Sequence, residues 1–87
     1  MMSYFAERGC IKSVTPLDGY VLQVDFISRG RLLLPMDQWL DSIRFAPLKD
    51  PDVWQSATTN GRFIHFQDVE ISHDELLDMA EYGRGSV

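Results

Sequence analysis

The chain has 87 residues, of which 45% are apolar and 24% are charged, a balance typical of globular proteins and unlike that of disordered or fibrous ones. This length supports one hydrophobic core, so we expect a single domain over residues 1–87. A formal charge of -5, with no cluster of Lys and Arg, disfavours direct nucleic-acid binding and favours a basic protein partner.

Cys10 is the single cysteine, which excludes an internal disulfide framework and leaves no Cys/His array with zinc spacing. No base lies near it in sequence, so an ordinary thiol is favoured over a nucleophile. The first ten residues lack the pattern of a secretory signal, and no run of about 18 apolar residues occurs. We therefore expect a cytoplasmic protein without a membrane-spanning segment.

The chain begins with a predicted strand, turn and second strand. Residues 11–14 have an extended pattern that Pro16 interrupts, and Asp18-Gly19 supplies turn chemistry. Strict alternation over residues 20–27 predicts the clearest strand of the protein. Its expected buried face consists of Tyr20, Leu22, Val24 and Phe26.

A hairpin is predicted next. The loop over residues 28–30 ends in Gly30, which can adopt positive φ, and residues 31–34 return as the antiparallel partner strand. Pro35 ends that strand. From Pro35 to Ser42 a short helix is expected, with its apolar side formed by Met36, Trp39, Leu40 and Ile43.

Two prolines, Pro47 and Pro51, divide the following segment, so we expect a loop and one helical turn that cover a sheet and fill the core. The bulky side chains expected to do so are Phe45, Leu48, Val53 and Trp54. Asn60-Gly61 then predicts a type I′ hairpin turn, because that turn needs positive φ at both central residues. Strands are expected on both sides of this turn, and the second covers residues 62–67.

The last predicted element is a helix from His73 to about Tyr82. Ser72 is the expected N-cap, Glu75 completes a capping box, and Ile71 and Leu76 are placed for a hydrophobic staple. Gly83 is expected to end the helix, which leaves residues 83–87 as a frayed tail. The elements together predict an α+β fold: a mostly antiparallel sheet of about five strands, a C-terminal helix and one short middle helix.

No arrangement of residues in the sequence indicates catalysis. His65 in a strand and His73 in a first helical turn both have ordinary structural explanations. Acidic pairs such as Asp37 with Asp41 lack the oxygen-rich loop of a calcium site, and no phosphate-binding glycine loop is present. We therefore predict a protein that is not an enzyme, with no catalytic residues, no cofactor and no metal.

Five residues are candidates for binding a partner. The exposed side of the last helix is acidic, through Asp74, Glu75, Asp78 and Glu81, and a basic protein would complement it. Of these four residues, Asp74, Asp78 and Glu81 are the candidates. Trp39 and Trp54 are expected mainly in the core, but in so small a chain part of a tryptophan surface can remain exposed at an interface. An exposed strand edge would also allow a homodimer.

A family resemblance rests on Val14-x-Pro16-Leu17, Tyr20-x-Leu22-x-Val24-x-Phe26, Phe45-x-x-Leu48-x-Asp50, Trp54, and Gly61 through Phe66 to Ser72-x-Asp74-x-Leu76. In these positions, from about residue 11 to residue 82, the chain resembles domain-of-unknown-function family 2442. The family has a compact α+β fold, and its bacterial and phage members have no established activity. Some sit beside a second short gene, as in toxin–antitoxin pairs. The chain differs from the family where Phe66 replaces a frequent tryptophan.

These observations favour a non-catalytic protein-interaction module, the antitoxin-like partner of a small basic protein. The first alternative is an acidic inhibitor of the phage, anti-CRISPR-like type, whose carboxylates imitate the phosphates of nucleic acid. The second alternative is a small ligand-sensing domain, which needs a concave pocket with convergent polar groups.

Overall fold

The computed structural model describes residues 11–27 and 30–85, with the backbone alone given for 82–85. These residues form the strands β1 (Ile11–Leu17), β2 (Val21–Phe26), β3 (Gly30–Pro35), β4 (Thr58–Thr59), β5 (Phe63–Phe66) and β6 (Val69–Ser72). The helices are α1 (Pro51–Gln55) and α2 (His73–Gly85). Short 3-10 turns lie at Asp18–Tyr20, Asp37–Trp39 and Ala46–Lys49.

The first sheet is the antiparallel meander β1-β2-β3. Its first turn follows the predicted Asp18-Gly19 pair, with φ of 75° at Gly19 and 60° at Tyr20. Tyr20 therefore belongs to the turn rather than to β2. Gly30 also has the predicted positive φ, at 93°, whereas Ser28 and Arg29 lie outside the described residues.

Both prolines of this sheet lie within strands, so the prediction that Pro16 interrupts the first strand is wrong. Met36 donates its N–H to Tyr20 O at 2.8 Å, which identifies one hydrogen-bonded pair of the β2–β3 ladder. In an antiparallel ladder, hydrogen-bonded pairs alternate with non-hydrogen-bonded pairs. Pro35, opposite Val21, and Pro16, opposite Leu22, both belong to non-hydrogen-bonded pairs, so their nitrogen atoms point away from β2. Neither proline removes a hydrogen bond from the sheet.

The second sheet is the antiparallel meander β4-β5-β6. The Asn60-Gly61 hairpin is present, but the predicted type I′ turn is wrong, because Gly61 alone has positive φ, at 101°. Asn60 instead uses its side chain, whose Oδ1 accepts hydrogen bonds from the N–H groups of Arg62 and Phe63, both at 3.0 Å. These two hydrogen bonds stabilise the turn, although Asn60 does not adopt the left-handed conformation that a type I′ turn requires.

The α+β class is confirmed, but the single sheet of about five strands is wrong: the described residues form two sheets of three strands each. β6 was the strand that the sequence did not predict. A two-residue turn joins it to β5, and Gln67 adopts φ of 56° there. Gln-Asp is not a dipeptide that marks such a turn, which is why the hairpin was missed.

The core lies between the inner faces of the two sheets, α2 and the middle segment, by which we mean residues 36–57 between β3 and β4. Three of the four residues predicted for the buried face of the second strand are buried, and Tyr20 is partly buried against them. The buried apolar side chains are Ile11, Leu22, Val24, Phe26, Leu34, Met36, Leu40, Phe45, Leu48, Trp54, Ile64, Phe66, Val69, Ile71, Leu76 and Met79.

The helix predicted from Pro35 to Ser42 is wrong, since only one 3-10 turn forms there. Met36 and Leu40 are buried as the pattern requires, but Ile43 is 96% exposed. The Ser42 hydroxyl donates to Trp39 O at 2.7 Å and accepts from Phe45 N–H at 3.3 Å. Such side-chain bonds to nearby backbone compete with helical hydrogen bonds, so the chain turns and Phe45 enters the core.

The next segment agrees with its prediction of a loop and one helical turn. The Asp50 carboxylate accepts from Asp52 N–H at 2.9 Å and caps α1, and Pro51 occupies a position where no N–H is required. α1 then places Trp54 in the core. The helical turn predicted in this segment is therefore α1, whereas the short middle helix predicted at residues 35–42 does not form.

Candidate partner-binding surface

α2 is the element that presents the predicted acidic residues. The Ser72 hydroxyl accepts from Glu75 N–H at 3.1 Å, so the predicted N-cap is confirmed. Leu76 and Met79 are buried and attach the helix to the core. The predicted end at Gly83 is wrong, because the helix continues to Gly85, and the frayed tail stays a prediction. Residues 86 and 87 lie outside the described part.

Arg44, a residue that the sequence did not single out, fixes the middle segment to α2. Its guanidinium binds both carboxylate oxygens of Glu75, with 2.6 Å between Nη2 and Oε1, and also donates to Glu70 O at 2.7 Å. Its Cζ atom lies 4.8 Å from the centre of the Phe45 ring. The hydrogen bonds to Glu75 raise the pKa of Arg44, against the opposing effect of burial.

Glu75 therefore pairs with Arg44 and does not reach back as the second half of a capping box. The two residues are 31 positions apart in sequence, so no local spacing connects them. Only the folding of the middle segment brings them together. One of the four acidic side chains predicted on this helix is in this way neutralised within the chain.

The other three carboxylates, Asp74, Asp78 and Glu81, form what we call the acidic face. All three are exposed, and their spacing of four and three residues places them on one side of the helix. The carboxylate of Asp74 is 97% exposed and lies 3.4 Å from His73 Nδ1. Asp78 and Glu81 have no ion pair or hydrogen bond from their side chains within the part of the chain that the structure describes.

The acidic face does not stabilise the helix as a whole. Asp74 lies in the first turn, where a negative charge interacts favourably with the helix dipole. Asp78 and Glu81 lie beyond that turn and gain nothing from it. Like charges three or four residues apart each destabilise a helix by about 0.2–0.5 kcal/mol. Fold stability therefore does not account for this row of carboxylates.

The two candidate tryptophans occupy different environments. Trp54 is 4% exposed, and its Nε1 donates to Leu17 O at 3.1 Å. Contact between a partner and Trp54 would require the side chain to leave the core. Trp39 is partly buried against the core and keeps some exposed surface. Of the two, Trp39 alone is accessible in this conformation.

A polar row crosses the outer face of the first sheet. Asp25 on β2 accepts from Arg31 Nε at 2.8 Å, from Ser13 Oγ at 3.3 Å and from Gln23 Nε2 at 3.3 Å. The hydrogen bond from Arg31 is the main cause that lowers the pKa of Asp25 below its ordinary 3.8, although desolvation opposes it. This carboxylate is held in its charged form by its own neighbours.

An open groove of about 370 Å³ lies beside this row, lined by Lys12, Ser13, Asp25, Phe26, Gly30 and Arg31. Three of the polar side chains at its wall, those of Ser13, Asp25 and Arg31, bond to one another. A ligand-sensing site needs polar groups directed into an enclosed cavity. The ligand-sensing alternative therefore stays a prediction.

The two histidines have local partners. His65 Nδ1 lies 3.1 Å from a Glu70 carboxylate oxygen across the β5–β6 ladder. His73 packs edge-on against Phe26, with ring centres 6.0 Å apart, and its buried Nε2 has no hydrogen-bond partner among the described residues. Within residues 11–27 and 30–85, no three metal-ligating side chains come together. Cys10 lies outside the described residues.

Comparison of the chain with protein-family models, curated proteins and solved structures finds no match. The family resemblance therefore stays a prediction. In the described part of the chain, no helix is long and apolar enough to span a membrane.

Proposed function

We propose that the chain is a non-catalytic interaction module whose acidic face binds a basic partner protein, as an antitoxin binds its toxin. The observation that carries the proposal is the row Asp74, Asp78 and Glu81. Two of these carboxylates have no partner among the described residues and no role in stabilising the helix. The chain's formal charge of -5 favours association with a positively charged surface.

The proposal also rests on how the helix is held. Arg44 and the Ser72 cap both fix the N-terminal part of α2 against the body of the domain. A rigid helix presents its carboxylates in a set arrangement, so a partner does not have to order them on binding. Glu75 is already paired with Arg44, which leaves the acidic face as the part of the helix available to external cations.

The test uses the product of the adjacent open reading frame as the probe. Two triple variants are compared for complex formation on co-expression and for affinity by calorimetry. The first, Asp74→Asn with Asp78→Asn and Glu81→Gln, neutralises the acidic face. The second, Asp18→Asn with Asp37→Asn and Asp52→Asn, removes the same number of charges from exposed positions elsewhere. The acidic-face variant is expected to weaken binding by about threefold to a hundredfold, since three pairs worth roughly 0.2–1 kcal/mol each contribute about 0.6–3 kcal/mol.

The control variant is expected to bind almost as the unchanged protein does. Equal weakening by both variants would mean that total charge, rather than the acidic face, attracts the partner. Absence of any complex would contradict the antitoxin-like function. Circular dichroism and the unfolding temperature show whether each variant folds, so that loss of binding is separated from loss of structure.

The same variants distinguish the nucleic-acid-mimicking inhibitor. In that alternative the partner's basic site also binds nucleic acid, so an added duplex competes with the chain for it. Neutralising the acidic face would then abolish inhibition of the enzyme. If the complex forms equally well with excess nucleic acid present, the alternative is excluded for that partner.

A further inference from the structure

The edges of the two sheets differ in how they are covered. β1 and β4, one edge strand from each sheet, lie side by side, and Ile11 donates its N–H to Gly61 O at 3.0 Å. The edge of β6 is partly covered, because Glu70 O accepts from Arg44. For β3 no hydrogen bond to its outer edge is made by any of the residues in 11–27 and 30–85.

The backbone groups that β3 leaves unpaired follow from its register. Tyr20 and Met36 are hydrogen-bonded to each other, so Leu34, Leu32 and Gly30 direct their backbone groups toward β2. The groups that point outward are then the N–H and C=O of Arg31 and Leu33 and the C=O of Pro35. An exposed row of this kind is a template for another extended chain.

The side chains of β3 do not prevent another strand from pairing with its outer edge. Natural edge strands are usually guarded by free charges, bulges or proline. Arg31 carries the one charge on β3, and Asp25 already pairs with it at 2.8 Å. Pro35 blocks only the end of the strand. At the centre stands Leu33, an apolar side chain that is 54% exposed.

We propose that β3 pairs antiparallel with β3 of a second copy about a two-fold axis at Leu33, so that two first sheets join into one. In this register each Leu33 N–H donates to Leu33 O of the other copy, and each Arg31 N–H donates to Pro35 O of the other copy. Because Pro35 has no N–H, the Arg31 carbonyl of each copy has no partner in this register. The proposal is independent of the acidic face.

The edge is self-complementary, and this favours a second copy over a strand from another protein. Leu33 meets Leu33, so two partly exposed apolar side chains become neighbours on one face of the joined sheet. Arg31 lies opposite Pro35 rather than opposite another Arg31, and Asp25 of its own chain neutralises it. No like charges face each other directly across the new pairing. An isologous two-fold contact is also the commonest form of protein oligomer.

The test measures the dimer dissociation constant by sedimentation equilibrium for the full chain and for Leu33→Lys and Leu33→Pro. Lysine places two like charges at the axis, and proline removes the outward N–H that pairs the copies. Ile43→Lys is the matched control, because it makes the same change at an exposed apolar residue away from β3. We expect a concentration-dependent dimer whose dissociation constant rises at least about tenfold in both Leu33 variants and stays unchanged in Ile43→Lys.

Amide hydrogen exchange locates the contact in the unchanged protein. The Arg31 and Leu33 amides should be protected at high protein concentration and exposed on dilution. The proposal is overturned if the unchanged chain is monomeric at every concentration tested, or if Leu33→Lys dimerises as well as Ile43→Lys does. It is also overturned if a dimer forms while the Arg31 and Leu33 amides remain unprotected.

Discussion

Arg44 shows how one side chain can link segments that are remote in sequence. It binds Glu75 in α2, Glu70 in β6 and the ring of its neighbour Phe45. Its side chain is 51% exposed and that of Glu75 31%, so water screens part of the attraction. The bidentate hydrogen bonding between Arg44 and Glu75 nonetheless makes this pair stronger than an ordinary surface ion pair.

We expect Arg44→Met to lower the free energy of unfolding by about 1 kcal/mol, because it removes the paired hydrogen bonds and leaves Glu75 without its cation. Urea unfolding followed by circular dichroism measures the change. Lys49→Met is the control, since Lys49 pairs through one contact of 3.3 Å with an Asp41 side chain that is almost fully exposed. The control should change stability by less than about 0.5 kcal/mol. Equal effects of the two substitutions would contradict this role for Arg44.

At the scale of single elements, the first sheet is crossed by a row in which β1, β2 and β3 each contribute one residue. Ser13, Asp25 and Arg31 are aligned in register, and the central carboxylate bonds to both of its neighbours. Such cross-strand pairs favour one register over a slipped one. The row therefore helps to fix the observed register of the three strands.

The row makes a prediction about pH. The folded-state pKa of Asp25 is lowered from 3.8, mainly by its hydrogen bond with Arg31, so its contribution to stability is present above about pH 4. That contribution is lost as the pH falls through the lowered pKa, because the carboxylate then becomes protonated in the folded state as well. We expect the difference in unfolding temperature between the unchanged protein and Asp25→Asn to shrink on acidification from neutral pH to below about pH 3.

Asp18→Asn is the control for this experiment, since the Asp18 side chain has no hydrogen-bond partner among the residues described. Thermal unfolding of the three proteins at both pH values gives the comparison. If the gap between the unchanged protein and Asp25→Asn were as large in acid as at neutral pH, the paired carboxylate would not be its cause.

At the scale of the whole molecule, Trp54 connects the two sheets. Its indole stacks on Phe66 of β5 at 5.6 Å, lies 5.0 Å from the Tyr20 ring and donates to Leu17 O at the end of β1. The short helix α1 places it between them. The middle segment is therefore part of the core and does more than connect the two sheets.

We expect Trp54→Phe to lower the free energy of unfolding by about 1–2 kcal/mol, through the lost hydrogen bond and reduced packing. Trp39→Phe should lower it by less than about 1 kcal/mol, because Trp39 is only partly buried. A chain of this length has a total stability of about 4–13 kcal/mol, so both variants should remain folded. Urea unfolding is the measurement, and equal losses from the two substitutions would contradict the bridging role.

Local patterns in the sequence determined the elements that depend on neighbouring residues alone. The alternation in β2, the left-handed Gly30 and the Ser72 cap were all predicted, because each depends on residues only a few positions apart. The acidic face was also predicted, since helical spacing alone places its three residues together. These features needed no knowledge of the rest of the chain.

Tertiary structure decided what depends on distant contacts. Two sheets form rather than one, Pro16 lies inside a strand, and Ile43 is exposed although the helical pattern placed it on an apolar side. In each case strand pairing or the packing of the middle segment overrides the local pattern. Arg44 pairs with Glu75 across 31 positions, and no hydrogen bond reaches the outer edge of β3 from the residues that the structure describes. No local spacing encodes such contacts, because they exist only once the whole core has formed.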